Sequence, residues 1–578
     1  MVTRSLTLVP KINFLGREFF YLNLLLRRRK KKMNIFIGGA WPYANGSLHI
    51  GHIAALLPGD VLARYYRSKG DNVLYILGSD CHGTPISIRA KQEGLLPKDI
   101  ADRYHAEFKR CFERLNFSYD YYGRTDDKFH KKEVQEAIIL LYNKGLIYEK
   151  EVEQIYCEHC NQFLPDRYVE GVCPKCHSIA RGDQCDNCGT LLEPLELSER
   201  KCKLCNNTPI VKSTKQLYFS LSEFQGIIEE NLDKTQDNWR INAVNNTERY
   251  LKEGLCDRAI SRDLSLGVDI PIKDFTDKKV YVWIDAVLGY FTMSKKWALE
   301  NKKSYEEFWS ENAISYYVHG KDNIPFHSII LPALIKGIGY DKLPDRIISS
   351  EYLTLEGKKI STSNNWAVWV PGIIERYNSD ALRYFFLINA PEKRDTDFSW
   401  REFVNSNNGE LLGAYGNLVN RTLVFAKKYF NNKIPNGELD INIKEEIDSL
   451  YNIIGNLIEQ GNLKIALEKI FEFIRSINKY FDEKAPWITV KDNLEVCSNT
   501  IYNCIYSIAN LANLLSPFLP ESSEKIKAWL DINEDNWQTI VPKYGVLIEE
   551  VTILFERLDK KIIEKEKNDL LGYRNILL

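Results

Sequence analysis

The chain has 578 residues, 44% of them hydrophobic, so it can bury several cores and is expected to divide into about three or more domains. Its 77 Lys and Arg residues balance 78 Asp and Glu residues, for a net charge of -1; no overall field would therefore attract nucleic acid or a membrane surface, and any such contact must be local. No apolar segment approaches the roughly 18 residues that are needed to span a bilayer.

The first 32 residues differ from the rest of the chain. The apolar run "FFYLNLLL" precedes "RRRKKK", which is the reverse of the order in a secretory signal peptide. A reducing compartment and a cytoplasmic location are therefore expected. Met33 directly precedes the first predicted strand, so we interpret residues 1–32 as a non-native or targeting extension; a natural start at Met33 and a transit peptide are both open.

Residues 33–70 carry two of the nine histidines, in "MNIFIGGAWPYANGSLHIGHIAALLPGDVLARYYRSKG". The apolar pattern predicts a strand, a loop with Pro and Gly, and a helix. His49 and His52 fall in the first turn of this helix, where unpaired N–H groups and the helix dipole favour an anion such as a phosphate. Imidazoles there can donate hydrogen bonds to oxygens whose charge grows in a transition state. The alternative is a pair of solvated surface histidines.

A second strand is predicted in "NVLYILGSDCHGTPISIRAKQEG", residues 72–94. It ends at Asp80, before a helix that starts near Pro85. A carboxylate at the carboxyl end of a parallel strand lies where open α/β sheets bind ligands, so Asp80 could hold a ligand amine. The alternative is an N-cap or Asx-turn role for the following helix.

The cysteines are concentrated in one segment. Eight of the 13 lie in four C-x-x-C pairs, which are Cys157/Cys160, Cys173/Cys176, Cys185/Cys188 and Cys202/Cys205. Each pair is typical of half a zinc knuckle, so four halves predict two sites of four thiolates, with no open position for a catalytic water. The spacing leaves the pairing open. The alternatives are redox dithiols or a loop without metal, but a polar segment with so few large apolar residues needs metal to fold.

The second half of the chain repeats the first pattern before it becomes helical. "KKVYVWIDAVLGYF", residues 278–291, is typical of a buried strand, and "ISYYVHGKDNIPFHSIILPALIKGI", residues 314–338, predicts a strand, a turn and a Pro-started helix. Two such halves predict a doubly wound parallel sheet, Rossmann-like, with its ligand crevice at the switch between them. From residue 366 to about 560 the spacing predicts an all-α helix bundle.

These motifs resemble those of a known family. "PYANGSLHIGH" resembles the HIGH signature of class I aminoacyl-tRNA synthetases, and "LGSDCHGTP" with the later segments narrows the resemblance to the methionyl-tRNA synthetases, from about residue 33 to the C-terminus. The resemblance implies that methionine is activated with ATP and then transferred to tRNA(Met). It also implies an α/β nucleotide-binding fold interrupted by a zinc-knuckle insertion and followed by an anticodon-binding helix bundle.

The resemblance implies site residues one by one. The methionine pocket would be formed by Ala40, Trp41, Tyr43, Asp80, Trp283, Tyr290, Phe326 and His327. Aromatic walls suit a polarizable thioether. Asp80 would pair with the substrate ammonium and Arg262 would orient that carboxylate. Val287 stands where many family members have proline. Gly51, Gly320 and Asp322 match positions near the nucleotide.

The segment "LEGKKISTSNNW", residues 355–366 and here called the signature loop, resembles the KMSKS signature. Lys359, Ile360, Ser361 and Ser363 fit, but Thr362 replaces the second lysine, which normally meets the triphosphate. Lys359, helped by Lys358, would then supply the cationic contact, and Thr362 a neutral hydrogen bond.

The resemblance also implies partners and metals. Asn417, Arg421, Pro486 and Trp487 match the anticodon contacts, since Asn and Arg can bond to base edges and Trp can stack on an unpaired base; a buried Trp487 in a plain bundle is the alternative. It implies two structural zinc ions, one on Cys173/Cys176 with Cys185/Cys188 and one on Cys157/Cys160 with Cys202/Cys205. Mg²⁺ is expected with ATP, and the expected state is a monomer.

Seven segments are predicted. They are 1–32, the extension; 33–118 and 246–354, the two halves of the catalytic domain; 119–245, the insertion; 355–400, the signature loop and stem-contact segment; 401–545, the anticodon-binding bundle; and 546–578, a helical tail. Two other functions are open: a non-catalytic tRNA-binding paralogue, which the change at Thr362 makes conceivable, and a zinc-ribbon nucleic-acid adaptor, which His49, His52 and Asp80 disfavour.

Overall fold

A computed structural model describes residues 32–165, 168–182, 185, 187–188, 192–362 and 365–575. Nearly all of the predicted extension, together with Ser363 of the signature loop, lies outside the described residues. Of residues 572–575 only the backbone is described.

Before the cysteine-rich insertion, strands alternate with helices. The elements are β1 (Asn34–Gly39), α1 (Ile50–Ser68), β2 (Asn72–Ser79), α2 (Thr84–Glu93), α3 (Pro97–Arg114), β3 (Tyr121–Arg124) and α4 (Lys128–Asn143). Five of the six residues of β1 and seven of the eight residues of β2 are buried. Such continuous burial is typical of parallel strands that are covered on both faces.

The insertion is built on a long antiparallel ladder. Its elements are β4 (Ile147–Cys157), β5 (Gln162–Phe163), β6 (Val169–Val172), β7 (Ile179–Arg181), β8 (Ser198–Cys202) and β9 (Ile210–Phe219). β4 pairs with β9 from Ile147 opposite Phe219 to Tyr156 opposite Ile210. β6, β7 and β8 form a separate small sheet. All eight cysteines of the four pairs lie between Cys157, at the end of β4, and the start of β9.

The second half follows. Its elements are α5 (Gln225–Thr235), α6 (Ile241–Glu253), β10 (Arg258–Ala259), β11 (Ser261–Arg262), β12 (Lys279–Val280), α7 (Val282–Asn301), β13 (Ile314–Gly320), α8 (Leu331–Ile338) and β14 (Arg346–Ser350), with a π-helical turn at Phe326–Ile330 before α8. The prediction of a buried strand over residues 278–291 is wrong, because only Lys279 and Val280 form a strand and all residues from Val282 onward belong to α7. This helix is buried nearly all round, so its apolar run shows no amphipathic period and cannot be told from a buried strand.

The central sheet has five strands in the order β14-β13-β1-β2-β3, and every pairing in it is parallel. The chain runs from β1 outward through β2 to β3, and then returns to the other side of β1 at β13. The strand order therefore reverses between β1 and β13, which is where a doubly wound sheet opens its ligand crevice. The predicted doubly wound fold is confirmed.

The remainder is mainly helical. Its elements are β15 (Leu353–Leu355), β16 (Lys358–Lys359), α9 (Val370–Arg376), α10 (Ser379–Ile388), β17 (Thr396–Phe398), α11 (Trp400–Ser406), a π-helical stretch (Asn407–Gly416), α12 (Asn417–Tyr429), α13 (Ile441–Glu459), α14 (Leu463–Lys484), α15 (Pro486–Asp492), α16 (Leu494–Leu515), α17 (Pro520–Trp529) and α18 (Lys561–Asn575). The predicted bundle is confirmed. The prediction of helical structure to about residue 560 is wrong, because α17 ends at Trp529 and the next helix begins at Lys561. Turn-forming Asn, Asp, Pro and Gly residues interrupt the apolar spacing there.

One buried arginine joins the sheet domain to the bundle. Arg383, on α10, is fully buried. It forms an ion pair with Asp60 of α1 at 2.7 Å. The guanidinium also donates to the carbonyls of Leu115, Pro517 and Phe518 at 2.8 to 3.0 Å. Since Pro517 and Phe518 lie just before α17, a single buried charge holds three parts of the chain together.

In the part of the chain that the structure describes, none of the helices has both the length and the apolar content to cross a lipid bilayer.

Candidate active site

The two histidines of the HIGH-like motif cap their own helix. His49 is the N-cap of α1, and its Nδ1 accepts the N–H of Gly51 at 3.1 Å. Nδ1 of His52 accepts the N–H of His49, also at 3.1 Å. Because both Nδ1 atoms accept, each neutral ring carries its proton on Nε2. The ring centres lie 3.9 Å apart with the rings tilted by 37°, so the structure presents two neighbouring Nε2–H donors.

The environment keeps these rings uncharged. Burial, followed by the neighbouring His52, lowers the pKa of His49, and burial lowers the pKa of His52 to about 4. Both rings are partly buried and accept backbone N–H groups, so they are not a freely solvated surface pair. One expectation needs correction: backbone N–H groups at this helix start already donate to the imidazoles, so an anion would meet the Nε2–H groups instead. A Cβ at Gly51 would lie 2.9 Å from Cε1 of His49, which explains the glycine.

Asp80 follows the end of β2 and is only 2% exposed. Its Oδ1 accepts the N–H of His82 at 3.0 Å and the hydroxyl of Thr125 at 3.3 Å. Behind it, Nδ1 of His82 lies 2.8 Å from Oδ2 of Asp285, and both of these side chains are fully buried. Burial and the carboxylate of Asp285 raise the pKa of Asp80. Asp80 is not the N-cap of α2, which is Gly83, although its bond to His82 is of the Asx-turn kind.

The predicted pairing of Arg262 with Asp80 is not present. Arg262 lies on β11, and its guanidinium donates to the carbonyls of Ala259 and Ser261 at 2.9 Å. It stacks on the Tyr281 ring at 4.2 Å. Thr125 and the N–H of His82 orient Asp80 instead. The resemblance placed Arg262 correctly in the second half, but local carbonyl acceptors hold its side chain.

The predicted pocket residues form one connected cluster. The N–H of Ala40 donates to the carbonyl of Val318 at 2.9 Å, which places it at the switch between β1 and β13. The further contacts are Tyr43 beside Asp80 in a backbone bridge, Tyr43 with Trp283 at 5.8 Å, Trp283 stacked on Phe326 at 4.0 Å and Trp41 with Tyr290 at 6.0 Å. The cluster has an apolar, aromatic character that suits a thioether side chain.

Two details fix the polar end of this cluster. Nε2 of His327 lies 2.9 Å from the Tyr290 hydroxyl, and Nδ1 of His327 lies 2.8 Å from the carbonyl of Asn323. A carbonyl only accepts, so Nδ1 carries the proton and the hydroxyl of Tyr290 donates to Nε2. Burial lowers the pKa of His327 to about 4. His327 is therefore a neutral group that holds Tyr290 in place.

Glycines make room for Trp41. A Cβ at Gly78 would lie 2.6 Å from a Trp41 ring atom, and a Cβ at Gly289 would lie 2.5 Å from one. Gly78 belongs to β2 and Gly289 to α7. The indole therefore lies between the first and second halves of the catalytic domain, where only glycine leaves the space.

The nucleotide side is organised around Tyr352. Gly320 ends β13, and Asp322 follows in a short 3-10 turn. The hydroxyl of Tyr352 donates to Oδ1 of Asp322 at 2.5 Å. The ammonium groups of Lys321 and Lys359 lie 3.8 Å and 5.2 Å from the centre of the Tyr352 ring. The structure thus brings Asp322 and Lys359 to one ring.

The signature loop starts as a hairpin. β15 pairs with β16 from Thr354 opposite Lys359 to Leu355 opposite Lys358. Glu356 and Gly357 form the turn, with φ of 47° and 75°, as a tight hairpin turn requires. Lys358, Lys359 and Thr362 are all exposed.

The loop returns to the histidine helix. Backbone pairing joins His49 to Trp369, and the N–H of Val370 donates to the carbonyl of Leu48 at 2.8 Å. A Cβ at Gly51 would lie 3.8 Å from Cδ1 of Ile360. The two signatures, more than 300 residues apart in sequence, are therefore neighbours at one crevice.

The eight cysteines form two groups of four, Cys157, Cys160, Cys202 and Cys205, and Cys173, Cys176, Cys185 and Cys188. This confirms the pairing that the resemblance implied. The measured cross-pair Sγ distances are 3.5 and 3.9 Å in each group. Tetrahedral zinc with Zn–S bonds of about 2.3 Å would separate its sulfurs by about 3.8 Å, so both groups could hold zinc.

Backbone N–H groups favour the thiolate form of one cysteine in each group, whereas burial raises the pKa of Cys160 and Cys202. The pKa of Cys176 is lowered to about 6, above all by the N–H of Ser178. The pKa of Cys205 is also lowered to about 6, above all by the N–H of Asn207. Because the sulfurs gather in fours across pairs, isolated redox dithiols are the poorer interpretation.

The predicted anticodon residues lie on one patch, which we call the anticodon patch (Asn417, Arg421, Pro486 and Trp487). Asn417 and Arg421 are one turn apart on α12. Arg421 stacks on the Phe481 ring at 4.2 Å, and Phe481 contacts Trp487 at 6.2 Å. Pro486 begins α15. Trp487 is 48% exposed, so the alternative of a buried core tryptophan is excluded.

Three residues of the site were not found from the sequence. They are His82, Thr125 and Asp285, which surround Asp80. One signal was available, since Asp285 is a lone acid within the apolar run "YVWIDAVLGYF", and an acid in such a run is almost always paired when buried. Thr125 gave no signal.

Comparisons with known proteins agree with this geometry. The chain matches a family model described as tRNA synthetases class I (M) over residues 35–423 and one described as the anticodon binding domain of methionyl tRNA ligase over residues 435–570. It is 67% identical to methionine–tRNA ligase 1 of Alkaliphilus oremlandii, over 92% of this chain and 99% of that protein. It is 58% identical to a methionine–tRNA ligase of Bacillus cereus, over 93% of this chain and 99% of that protein.

A solved structure has the same fold. The Mycobacterium tuberculosis methionyl-tRNA synthetase in complex with methionyl-adenylate superposes with a TM-score of 0.76 at 24% identity, over 91% of this chain and 100% of that chain. The family models together span most of the sequence, and the curated relatives match it nearly from end to end. The chain therefore belongs to the methionyl-tRNA synthetase family of class I tRNA synthetases.

Proposed function

We propose that the protein is a methionine–tRNA ligase, which activates methionine with ATP and transfers it to the 3′ end of tRNA(Met). The observation that supports this function is that strands of one parallel sheet lead into the segments that carry the two Nε2–H donors, Asp80 and Asp322, and that Tyr352 contacts both Asp322 and Lys359. Family membership at 67% identity supports the same activity.

The methionine end works through shape and one charge. Asp80 takes the substrate ammonium, because it is a buried carboxylate whose Oδ1 is already oriented by two hydrogen-bond donors. The stacked rings of Trp283 and Phe326, with Tyr290, enclose the thioether. Selectivity follows from filling this aromatic space, since a shorter side chain would leave part of it empty.

The phosphate end stabilises growing negative charge. The methionine carboxylate attacks the α-phosphate of ATP, and pyrophosphate leaves. His49 and His52 each offer an Nε2–H to phosphate oxygens, and Lys359 offers its ammonium. Asp322 is placed to accept a ribose hydroxyl. Mg²⁺, bound with ATP, would supply positive charge against the triphosphate. Positioning and charge stabilisation supply the rate, without a covalent intermediate on the chain.

The remaining parts support the transfer to tRNA. The anticodon patch offers an exposed ring and hydrogen-bonding groups to unpaired bases. Residues 355–400 contact the tRNA stem. The seven predicted segments correspond to the domains and connecting segments of the protein. The protein acts as a cytoplasmic monomer, and Arg262 keeps only an indirect role through Tyr281.

The two cysteine groups bind structural zinc, which closes the insertion. Four thiolates fill each coordination shell, so the metal is not available to substrate. We expect two zinc ions per chain by elemental analysis of the purified protein. One zinc ion or none would contradict this assignment, and Cys160→Ser is expected to remove one ion while leaving the other.

Methionine-dependent exchange of pyrophosphate into ATP tests the function directly. We expect exchange with methionine, and charging of tRNA(Met) but not of other tRNAs. A second candidate is a non-catalytic tRNA-binding paralogue, which Thr362 specifically favours because it removes a cation from the signature loop. Tight binding of tRNA(Met) without exchange would establish that candidate and overturn the enzyme.

A further inference from the structure

Two consecutive residues of α18 contact the two ends of one segment of the active site. Glu566 is buried, and its carboxylate accepts two bonds from the Arg376 guanidinium, both at 3.0 Å, and one from the Tyr377 hydroxyl at 2.7 Å. The ammonium of Lys567 lies 3.0 Å from Oε2 of Glu356. The chain between Glu356 and Arg376 contains residues 357–366 of the signature loop, including the exposed Lys358, Lys359 and Thr362.

The first of these ends is the turn of the loop hairpin. Glu356 lies in the left-handed region, with φ of 47°, and its Oε1 accepts the N–H of Trp400 at 2.9 Å. The N–H of Gly357 donates to Asp397 at 2.8 Å. The direction in which β16 leaves this turn sets the position of Lys359, so any displacement of Glu356 is transmitted to that ammonium.

The second end is the C-terminal end of α9, where Arg376 and Tyr377 lie. The first residue of α9, Val370, donates its N–H to the carbonyl of Leu48, which precedes His49. A helix of seven residues is a short rigid rod. The contacts of Glu566 with the C-terminal end of α9 therefore also fix the position of Val370, where the chain returns from the signature loop to His49.

The support itself is fixed independently of the loop. Asn408 bonds twice to Leu558, donating to its carbonyl at 2.8 Å and accepting its N–H at 2.9 Å. The side chain of Asn407 donates to the carbonyl of Glu556 at 2.9 Å, and Leu570 of α18 is buried. The chain that leads to α18 is thus attached to the bundle before α18 reaches the catalytic side.

We propose that Glu566 and Lys567, here called the brace, are positioning residues that hold Lys359 in line with His49 and His52 during adenylate formation. This inference rests on the proposed function, since it assigns the phosphate contact to Lys359. A loop that lacks the second signature lysine, at Thr362, depends more strongly on the placement of Lys359, because a shift of about 1 Å in a reacting group can cost roughly 100-fold in rate.

The test compares brace variants with a matched ion pair elsewhere. The variants are Glu566→Gln, Lys567→Ala and the conservative Lys567→Arg. The control is Lys527→Ala, because Lys527 pairs with Asp535 at the same 3.0 Å on α17, away from the loop. Methionine-dependent pyrophosphate exchange gives kcat and the KM values for ATP and methionine, and single-turnover transfer from preformed adenylate to tRNA is measured separately.

The brace predicts an effect on kcat of exchange alone. Lys567→Ala should lower it about two- to fivefold and Glu566→Gln about tenfold. KM for methionine and the transfer rate should change by less than about twofold, which is below 0.5 kcal/mol. Lys567→Arg should restore kcat. Glu566→Gln also weakens the contacts that hold α18 in place. The comparison of Lys567→Ala with Lys567→Arg therefore decides whether the brace acts on kcat.

Two results would overturn the brace. One is a kcat for Lys567→Ala equal to that of Lys527→Ala; the other is a parallel rise in KM for methionine, which indicates general loosening. Lys359→Ala is assayed alongside. If it leaves exchange unchanged, the assignment of Lys359 fails and the brace with it. If it lowers exchange while the brace variants match Lys527→Ala, the brace alone fails.

Discussion

The two ends of the crevice are built in different ways. At the methionine end, Asp80 is 2% exposed and the partly buried Trp283 stacks on Phe326 at 4.0 Å, so contacts with packed neighbours fix each group. At the phosphate end, Lys359 and Thr362 are exposed, and the loop that carries them is held at its ends. A buried group is positioned by its neighbours, whereas an exposed group is positioned by the chain on either side of it.

This difference explains why a substitution within the signature loop is compatible with the fold. Thr362 replaces a lysine without disturbing any core contact, because its side chain faces solvent. A comparable change at Asp80 would leave the hydrogen-bond donors of His82 and Thr125 without their charged acceptor. The following predictions are ordered by expected effect.

The largest effect is expected at Asp80. Asp80→Asn keeps the size of the side chain but removes the charge that pairs with the ammonium, so kcat/KM for methionine in pyrophosphate exchange should fall about 100- to 1,000-fold. KM for ATP should change little. Asp535→Asn, an exposed acid on the bundle, is the control. A loss below tenfold at Asp80 would show that the buried end does not depend on this charge.

A smaller effect is expected at Lys359. Lys359→Ala should lower kcat of exchange about 10- to 100-fold, since one of several charge-stabilising groups is lost, and should leave KM for methionine unchanged. Stopped-flow or exchange kinetics at saturating ATP would measure it. An equally large rise in KM for methionine would mean that the methionine end and the phosphate end do not act separately.

The pH dependence separates the two ends in another way. Burial and Asp285 raise the pKa of Asp80, and a protonated Asp80 cannot pair with an ammonium, so KM for methionine should rise as the pH falls. Asp285→Asn removes one cause of the shift. It should move this rise to lower pH, while burial and the weaker effect of the Asp126 carboxylate, which also raises the pKa of Asp80, remain. KM for ATP is the internal control, and an unmoved profile would contradict the coupling.

The smallest effect is expected at Thr362. Thr362→Lys restores the usual cation in an exposed loop, where charges are well screened, so kcat of exchange should rise about two- to threefold at low salt and less at high salt. Thr362→Gln, which is long and neutral, is the control. A loss of activity would indicate that the threonine hydroxyl has a contact of its own in the working loop.

Much of this could be predicted from the sequence, for physical reasons. The parallel strands have continuous apolar runs that are followed by Gly and Asp. Cysteines at C-x-x-C spacing indicate a metal site even where the conformation of the surrounding loops cannot be predicted. The helix α7 could not be recognised, because a helix buried on all sides loses the period that identifies it. The bonds of Arg262, the tautomers of His49 and His52, and the contacts of α18 depend on distances across the chain that no local pattern contains.

The position of Arg383 limits how the molecule can be re-engineered. Replacing the helices after residue 400 with those of another protein would remove the carbonyls of Pro517 and Phe518 from a guanidinium that is sealed from water. The ion pair with Asp60 would remain, but two N–H groups of the guanidinium would lose their acceptors, and each unmet buried donor costs about 1–3 kcal/mol, a large part of the stability of a domain. A chimera with a new anticodon reader would therefore have to keep that short turn, or exchange Arg383 and Asp60 together for apolar residues.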